Sequence, residues 1–181
     1  VDCSTPPQGP FPRTVMGTPR GYHGLAFDQL GGLTGSDGSN LIRATGPNSG
    51  ALLAPGVGQA QQMDYLRNGD LVVAMDTSGT IQRVTPAGAR TTLASGIGAY
   101  GIEIGPDGMI YTANQDQIHR VDPDGLIATS VVVSSSVMPD RPKVVTFNNE
   151  GTLMYVGTNQ NGNVYELDLD ANLDPVLPKR L

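Results

Sequence analysis

The chain repeats itself four times at an interval of about forty residues, and no other feature restricts its fold so strongly. Each copy opens on a short stretch with apolar residues at alternate positions: Leu25-Ala26-Phe27, Met63-Asp64-Tyr65, Ile102-Glu103-Ile104 and Val145-Thr146-Phe147. Alternation marks a strand with one buried face. The starts lie 38, 39 and 43 residues apart. A turn follows each time, at Gly31-Gly32, Asn68-Gly69-Asp70, Pro106-Asp107-Gly108 and Asn149-Glu150-Gly151, made of residues that tolerate the positive φ of a tight hairpin.

A second strand comes next: Leu33-Thr34, Leu71 to Met75, Met109 to Ala113 and Leu153 to Val156. The middle two runs are almost continuously apolar, as strands covered on both faces are. Third strands follow at Leu41 to Arg43, Ile81 to Val84, Ile118 to Val121 and Val164 to Leu167, with Arg at one matching position in three copies. Weaker fourth strands are expected around Ala51 to Leu53, Arg90 to Leu93 and Ile127 to Val133. Sheets of this size repeated around an axis make a β-propeller, each repeat burying the face of its neighbour. The expected fold is all-β, with four blades that either close as a ring or form part of a larger six- to eight-blade ring.

The fourth copy shows no fourth strand, because Asn172 to Leu181 is interrupted by Pro, which breaks a ladder. A substitute lies at the N-terminus. Thr14-Val15-Met16 running on to His23-Gly24-Leu25 matches Thr91-Thr92-Leu93 running on to Tyr100-Gly101-Ile102 at an offset of 77 residues. Residues 13–16 are therefore expected to complete a blade and remove an exposed edge. The resulting organisation is a Pro-rich arm at 1–12, blades at about 20–58, 59–97, 98–140 and 141–175 within a propeller of 13–175, and a tail at 176–181.

A net charge of −6 with only two Lys leaves no basic stripe for phosphates, so nucleic acid is not an expected partner. No stretch of the roughly 18–20 apolar residues needed for a membrane helix occurs. The single cysteine, Cys3, sits in the Pro-rich arm; an odd cysteine in a secreted chain is either a free thiol or an intermolecular bridge. An extracellular or periplasmic location is the expectation.

The third copy, Gly101 to Asn114 followed by Ile118-His119-Arg120-Val121-Asp122-Pro123-Asp124-Gly125, resembles the NHL repeat and the gluconolactonase-like and strictosidine-synthase-like propellers. The second copy carries the same pattern in Asn68-Gly69-Asp70-Leu71 and Ile81 to Gly88. The resemblance covers residues 20 to about 170 and rests on turn and core positions, so it speaks to fold. Those families usually close with six blades. Four blades are then a closed ring of their own, part of a longer propeller, or a half that self-association or a partner chain completes.

Within such a ring, residues just before the first strands and in the turns between second and third strands crowd one mouth of the channel. That mouth gathers His23, Gln61, Tyr100 and Lys143 as candidate binding residues, with Asp37, Asp76, Asn114 and Asn159 around them. A circle of carboxylate and amide oxygens suits Ca²⁺, which takes about six to eight oxygen ligands. The resemblance implies a further possibility, since gluconolactonase-like enzymes use such a cation, held partly by a Glu before the first strand, to polarise a lactone carbonyl. Here that Glu-Gly pair reads His23-Gly24. The plainer reading is that these Asp and Asn residues only make turns. His119 reads as an ordinary strand residue, and Asp168 to Asp174 opens like a calcium loop but lacks its Gly and closing Glu.

Two functions follow. The first is a secreted module for ligand or protein binding or assembly, with its contact surface at the channel mouth. The second is a Ca²⁺-dependent lactonase- or esterase-type hydrolase, or a lyase, with His23 accepting the proton.

Overall fold

Sixteen short strands and no helix make up the described residues of the computed structural model, 24–46, 49–75, 78–114, 116–134, 136–138, 140–170, 172, 174–176 and 179–180. The first blade is β1 (Leu25–Phe27), β2 (Leu33–Ser36), β3 (Leu41–Gly46) and β4 (Ser49–Ala54). The second is β5 (Ala60–Tyr65), β6 (Leu71–Met75), β7 (Thr80–Val84) and β8 (Arg90–Ser95). The third is β9 (Gly101–Ile104), β10 (Ile110–Ala113), β11 (Ile118–Val121) and β12 (Ser130–Val133). The fourth is β13 (Pro142–Phe147), β14 (Leu153–Thr158), β15 (Val164–Asp168) and β16 (Lys179–Arg180). Each blade is an antiparallel sheet whose strands lie side by side in chain order.

The inner strands β1, β5, β9 and β13 neighbour one another in that sequence, while β1 and β13 make no comparable contact. The blades thus form an arc of a β-propeller, the partial ring of the two arrangements left open by the sequence. Its core is three apolar seams. The first joins Ala26 and Leu41 to Met63, Leu71 and Val73; the second joins Val72, Ala74 and Ile81 to Ile102 and Ile110; the third joins Tyr111, Ala113 and Ile118 to Val145, Met154 and Val156. Each Leu, Ile, Val or Met side chain among these taken from water contributes about 1.5–3 kcal/mol. Continuous burial along β6 and β10 has this cause, because each has a blade on both sides. β14 alternates instead.

Two sequence expectations need correction. The fourth blade does have an outer strand, with Tyr165 opposite Arg180 and Glu166 opposite Lys179. The prolines that argue against it precede the pairing: the chain first turns back through a bridge between Leu169 and Pro175, and the residues after Pro178 still carry N–H donors. At that pair the outer position proposed for residues 13–16 is already filled, and 13–16 themselves lie outside the described residues. The outer strand of the third blade also begins at Ser130 and not at Ile127. Asp122 Oδ2 accepts from the amides of Leu126 and Ile127 at 2.9 and 2.8 Å, which prolongs the turn. Among the described residues no helix is long and apolar enough to cross a membrane.

Candidate functional site

The mouth of the arc is shaped by the residues that begin the inner strands. Gln61 and Lys143 are each the extra residue of a β-bulge, the first between Ala60 and Gln62, the second between Pro142 and Val144. A bulge bends its strand and re-aims one side chain. Tyr100 occupies the matching place before β9, where its amide donates to Ala113 O at 2.9 Å.

Glycine brings two of these residues together. A Cβ on Gly101 would lie 2.5 Å from Lys143 O and 2.9 Å from Val144 Cα, so only the missing side chain lets β9 press against β13. Lys143 Nζ consequently stands 5.6 Å from the centre of the Tyr100 ring, a cation–π contact worth about 0.5–1 kcal/mol at an exposed site. Gly24 allows a similar approach at the first seam, where a Cβ would lie 3.1 and 3.3 Å from Ala60 O and Gln61 O. At the second seam, Gln62 Oε1 accepts from the Ile102 amide at 3.2 Å and ties the second blade to the third.

The turn residues are occupied locally. Asp37 Oδ1 accepts from the amides of Ser39 and Asn40 at 3.0 and 2.7 Å, and both carboxylate oxygens meet Asn40 Nδ2. Asn114 Oδ1 accepts from the amides of Asp116 and Gln117 at 3.1 and 2.8 Å. These are Asx turns. Asn159 is exposed, and its amide donates to Arg141 O at 3.1 Å. His23 and Asp76 lie outside the described residues. No group of three or more His, Cys, Asp or Glu side chains gathers as a metal site among the described residues. The calcium-like tail is likewise a turn, with Asp170 Oδ1 capping the amides of Asn172 and Asp174 at 2.8 and 3.0 Å.

Asn114 also touches the buried His119, Nδ2 to Nε2 at 3.1 Å. Burial lowers the His119 pKa; the neutral ring accepts from Asn114 through Nε2 and leaves Nδ1 without a partner among the described residues. A depressed folded pKa means that stability is full above the ordinary histidine value of about 6.5 and is lost as pH falls through the folded value. His119→Gln, which copies Gln82 at the same place in the second blade, is expected to flatten this acid-side loss. Melting temperatures of both proteins at about pH 7 and about pH 5.5 check it; equal losses would remove His119 as the cause.

Sequence reasoning missed the channel wall and the opposite mouth. Asp64 and Glu103 sit at matching positions of β5 and β9. Burial raises both carboxyl pKa values, and the Asp64 charge adds to the rise at Glu103. Thr146 Oγ1 reaches Glu103 Oε1 at 3.4 Å from the next inner strand. Below them a cleft of about 440 Å³ is lined by Tyr65, Arg67, Glu103, Phe147, Asn148 and Glu150 among others. The signal was present as an acidic residue in the middle of two first strands, where the other two copies have Ala26 and Thr146.

No protein-family model matches the chain, and no curated protein does. Solved structures do. The chain is similar to a virginiamycin B lyase from Staphylococcus aureus, determined with quinupristin, at 17% identity and TM-score 0.72 over 93% of this chain and 58% of that one. It is similar to a gluconolactonase from Xanthomonas campestris at 14% identity and TM-score 0.73, over 87% of this chain and 61% of that one. An auxiliary nutrient binding protein from Bacteroides thetaiotaomicron matches at 15% identity and TM-score 0.73, over 88% of this chain and 41% of that one. The chain spans between about two fifths and three fifths of those chains. Its fold is that of gluconolactonase-like β-propellers, and likeness at this identity carries the fold alone.

Proposed function

We propose that the chain is a binding module and not a catalyst, acting at the channel mouth on a ligand or protein segment that presents a carboxylate. The observation carrying this reading is the pairing of Lys143 with Tyr100 on the rim while the Asp37 and Asn114 oxygens serve their own turns. The molecule is acidic overall and has only two Lys. One of them stands at this mouth over an aromatic face, with Arg141 two residues upstream. A carboxylate docking there gains a charge-assisted hydrogen bond and an apolar platform. Gln61 and His23 would complete the contact surface, and secretion to the periplasm or outside the cell belongs to the same proposal.

The competing reading is a Ca²⁺-dependent hydrolase using Asp37, Asp76, Asn114 and Asn159, with His23 as base. One pair of measurements separates them. Calorimetric titration with gluconate is expected to show binding that Lys143→Ala weakens about tenfold, the equivalent of about 1.4 kcal/mol. Glucono-1,5-lactone incubated with the protein and Ca²⁺ is expected to hydrolyse at the uncatalysed rate. Calcium-dependent acid release that Asp76→Ala abolishes would replace the binding reading with the catalytic one.

A further inference from the structure

The two ends of the arc carry the two halves of one more seam. In every blade one face looks back to the preceding blade and one looks forward. The backward face opens with Leu25, Met63, Ile102 and Val145 at matching positions, of which the last three are 3%, 0% and 3% exposed and Leu25 is 56% exposed. Phe27, beside it, is 66% exposed. On the forward face Leu41, Ile81 and Ile118 are fully buried, while their counterpart Val164 is 43% exposed.

What these ends present matches the third seam. There Tyr111 meets the Phe147 ring edge-on, centroids 4.9 Å apart at 71°. Register places Tyr155 where Tyr111 stands and Phe27 where Phe147 stands. The other two seams put Thr34 against Tyr65, hydrogen-bonded at 2.7 Å, and Val72 in line with Ile104.

Charge selects the same match. In each existing seam a third-strand Arg reaches an acceptor on the following blade: Arg43 to Tyr65 Oη at 3.3 Å, Arg83 to Asp124 at 3.1 Å and Arg120 to Asp174 at 3.6 Å. The fourth blade has Glu166 in that row, bonded to the Tyr155 hydroxyl. The first blade presents Phe27 without a hydroxyl, and Thr45, Gly46, Ser49 and Gly50, the described residues of its turn, carry no carboxylate. Cation and acceptor are thus missing together from the two ends. A backward face like that of the third or fourth blade would set an acid near Glu166, and like charges desolvated together are strongly unfavourable.

We infer that the forward face of the fourth blade seats on the backward face of the first blade of a second copy, so that two chains close an eight-bladed ring through two identical seams. Head-to-tail contact of this kind closes when the rotation permits and otherwise propagates as a filament. The inference is independent of what the channel mouth binds.

Sedimentation equilibrium of the 181-residue chain is expected to give twice its 18.9 kDa mass. Leu25→Glu and Val164→Lys, at exposed positions whose counterparts Val145 and Ile118 share the third seam, are each expected to give the monomer mass with an unchanged β-sheet circular dichroism spectrum. Mixing the two variants is expected to restore the doubled mass, because one seam is then wild type on both sides and the other pairs Glu with Lys. A wild-type monomer overturns the inference, and so does growth beyond two copies. A dimer that survives Val164→Lys alone would mean face-to-face pairing of the first blade, and a mixture that stays monomeric would equally refute the ring.

Discussion

Replacing Tyr111 by alanine is expected to lower the unfolding free energy by about 3–5 kcal/mol, the usual cost of deleting a large buried aromatic. Few substitutions in this chain can cost more, since domains of this size have only about 5–15 kcal/mol in total. Tyr111 has no exposed surface. Its ring packs edge-on against Phe147 across the third seam, and its hydroxyl donates to Asp107 Oδ2 at 3.0 Å. The alanine variant therefore loses the ring, leaves a cavity between the third and fourth blades, and strips a partner from Asp107. Tyr111→Phe separates the hydroxyl from the ring and is expected to cost only about 0.5–1.5 kcal/mol. Urea unfolding of the three proteins checks the ranking. Equal midpoints for wild type and Tyr111→Ala would mean that the third seam does not hold the blades together.

The same residue predicts alkaline behaviour. Burial, with the Asp107 charge adding to it, pushes the phenol from 10.0 up to about 12. The folded chain keeps a proton that the unfolded chain releases, so this contribution to stability is lost as pH rises between those values. Tyr111→Phe is expected to lack that component of the slope.

Gly101→Val is the second large effect, expected to cost about 1–3 kcal/mol or more by overpacking. The obstructing atoms are Lys143 O and Val144 Cα, backbone atoms that no rotamer change can move aside. β9 and β13 would have to separate, and the Tyr100 ring would leave Lys143 Nζ with them. The variant is therefore expected to lower the urea midpoint and to weaken gluconate binding together. Lys143→Ala is expected to weaken binding with the midpoint nearly unchanged. A Gly101→Val protein with unaltered stability would show that the inner strands are less tightly apposed than this geometry requires.

The inner, second and third strands of all four blades were legible because each depends on local pattern: alternation, a Gly or Asn turn, then a continuous apolar run between two neighbours. Legibility failed where pairing partners are distant. Lys179 and Arg180 have no strand pattern of their own and become β16 only because β15 offers an edge. The start of β12 was misplaced because a side chain, Asp122, holds Leu126 and Ile127 in a turn that hydropathy does not record. At the candidate site, Gln61, Tyr100 and Lys143 could be matched by position, yet nothing in their order says that a bulge turns two of them outward or that Gly101 draws Lys143 over Tyr100. The channel carboxylates Asp64 and Glu103 were visible as letters, but their raised pKa values come from burial, which is a tertiary property.

By itself, then, the sequence determined a four-fold repeat of antiparallel blades, since periodicity and turn chemistry act over a few residues. Only the tertiary structure decided how those blades meet: as an arc whose first and last inner strands stay apart, with Tyr155 and Val164 facing out at one end and Leu25 and Phe27 at the other. The reason is that a seam is written half in each of two blades. A repeat unit specifies its own two faces, and the geometry of stacking decides which faces find a neighbour.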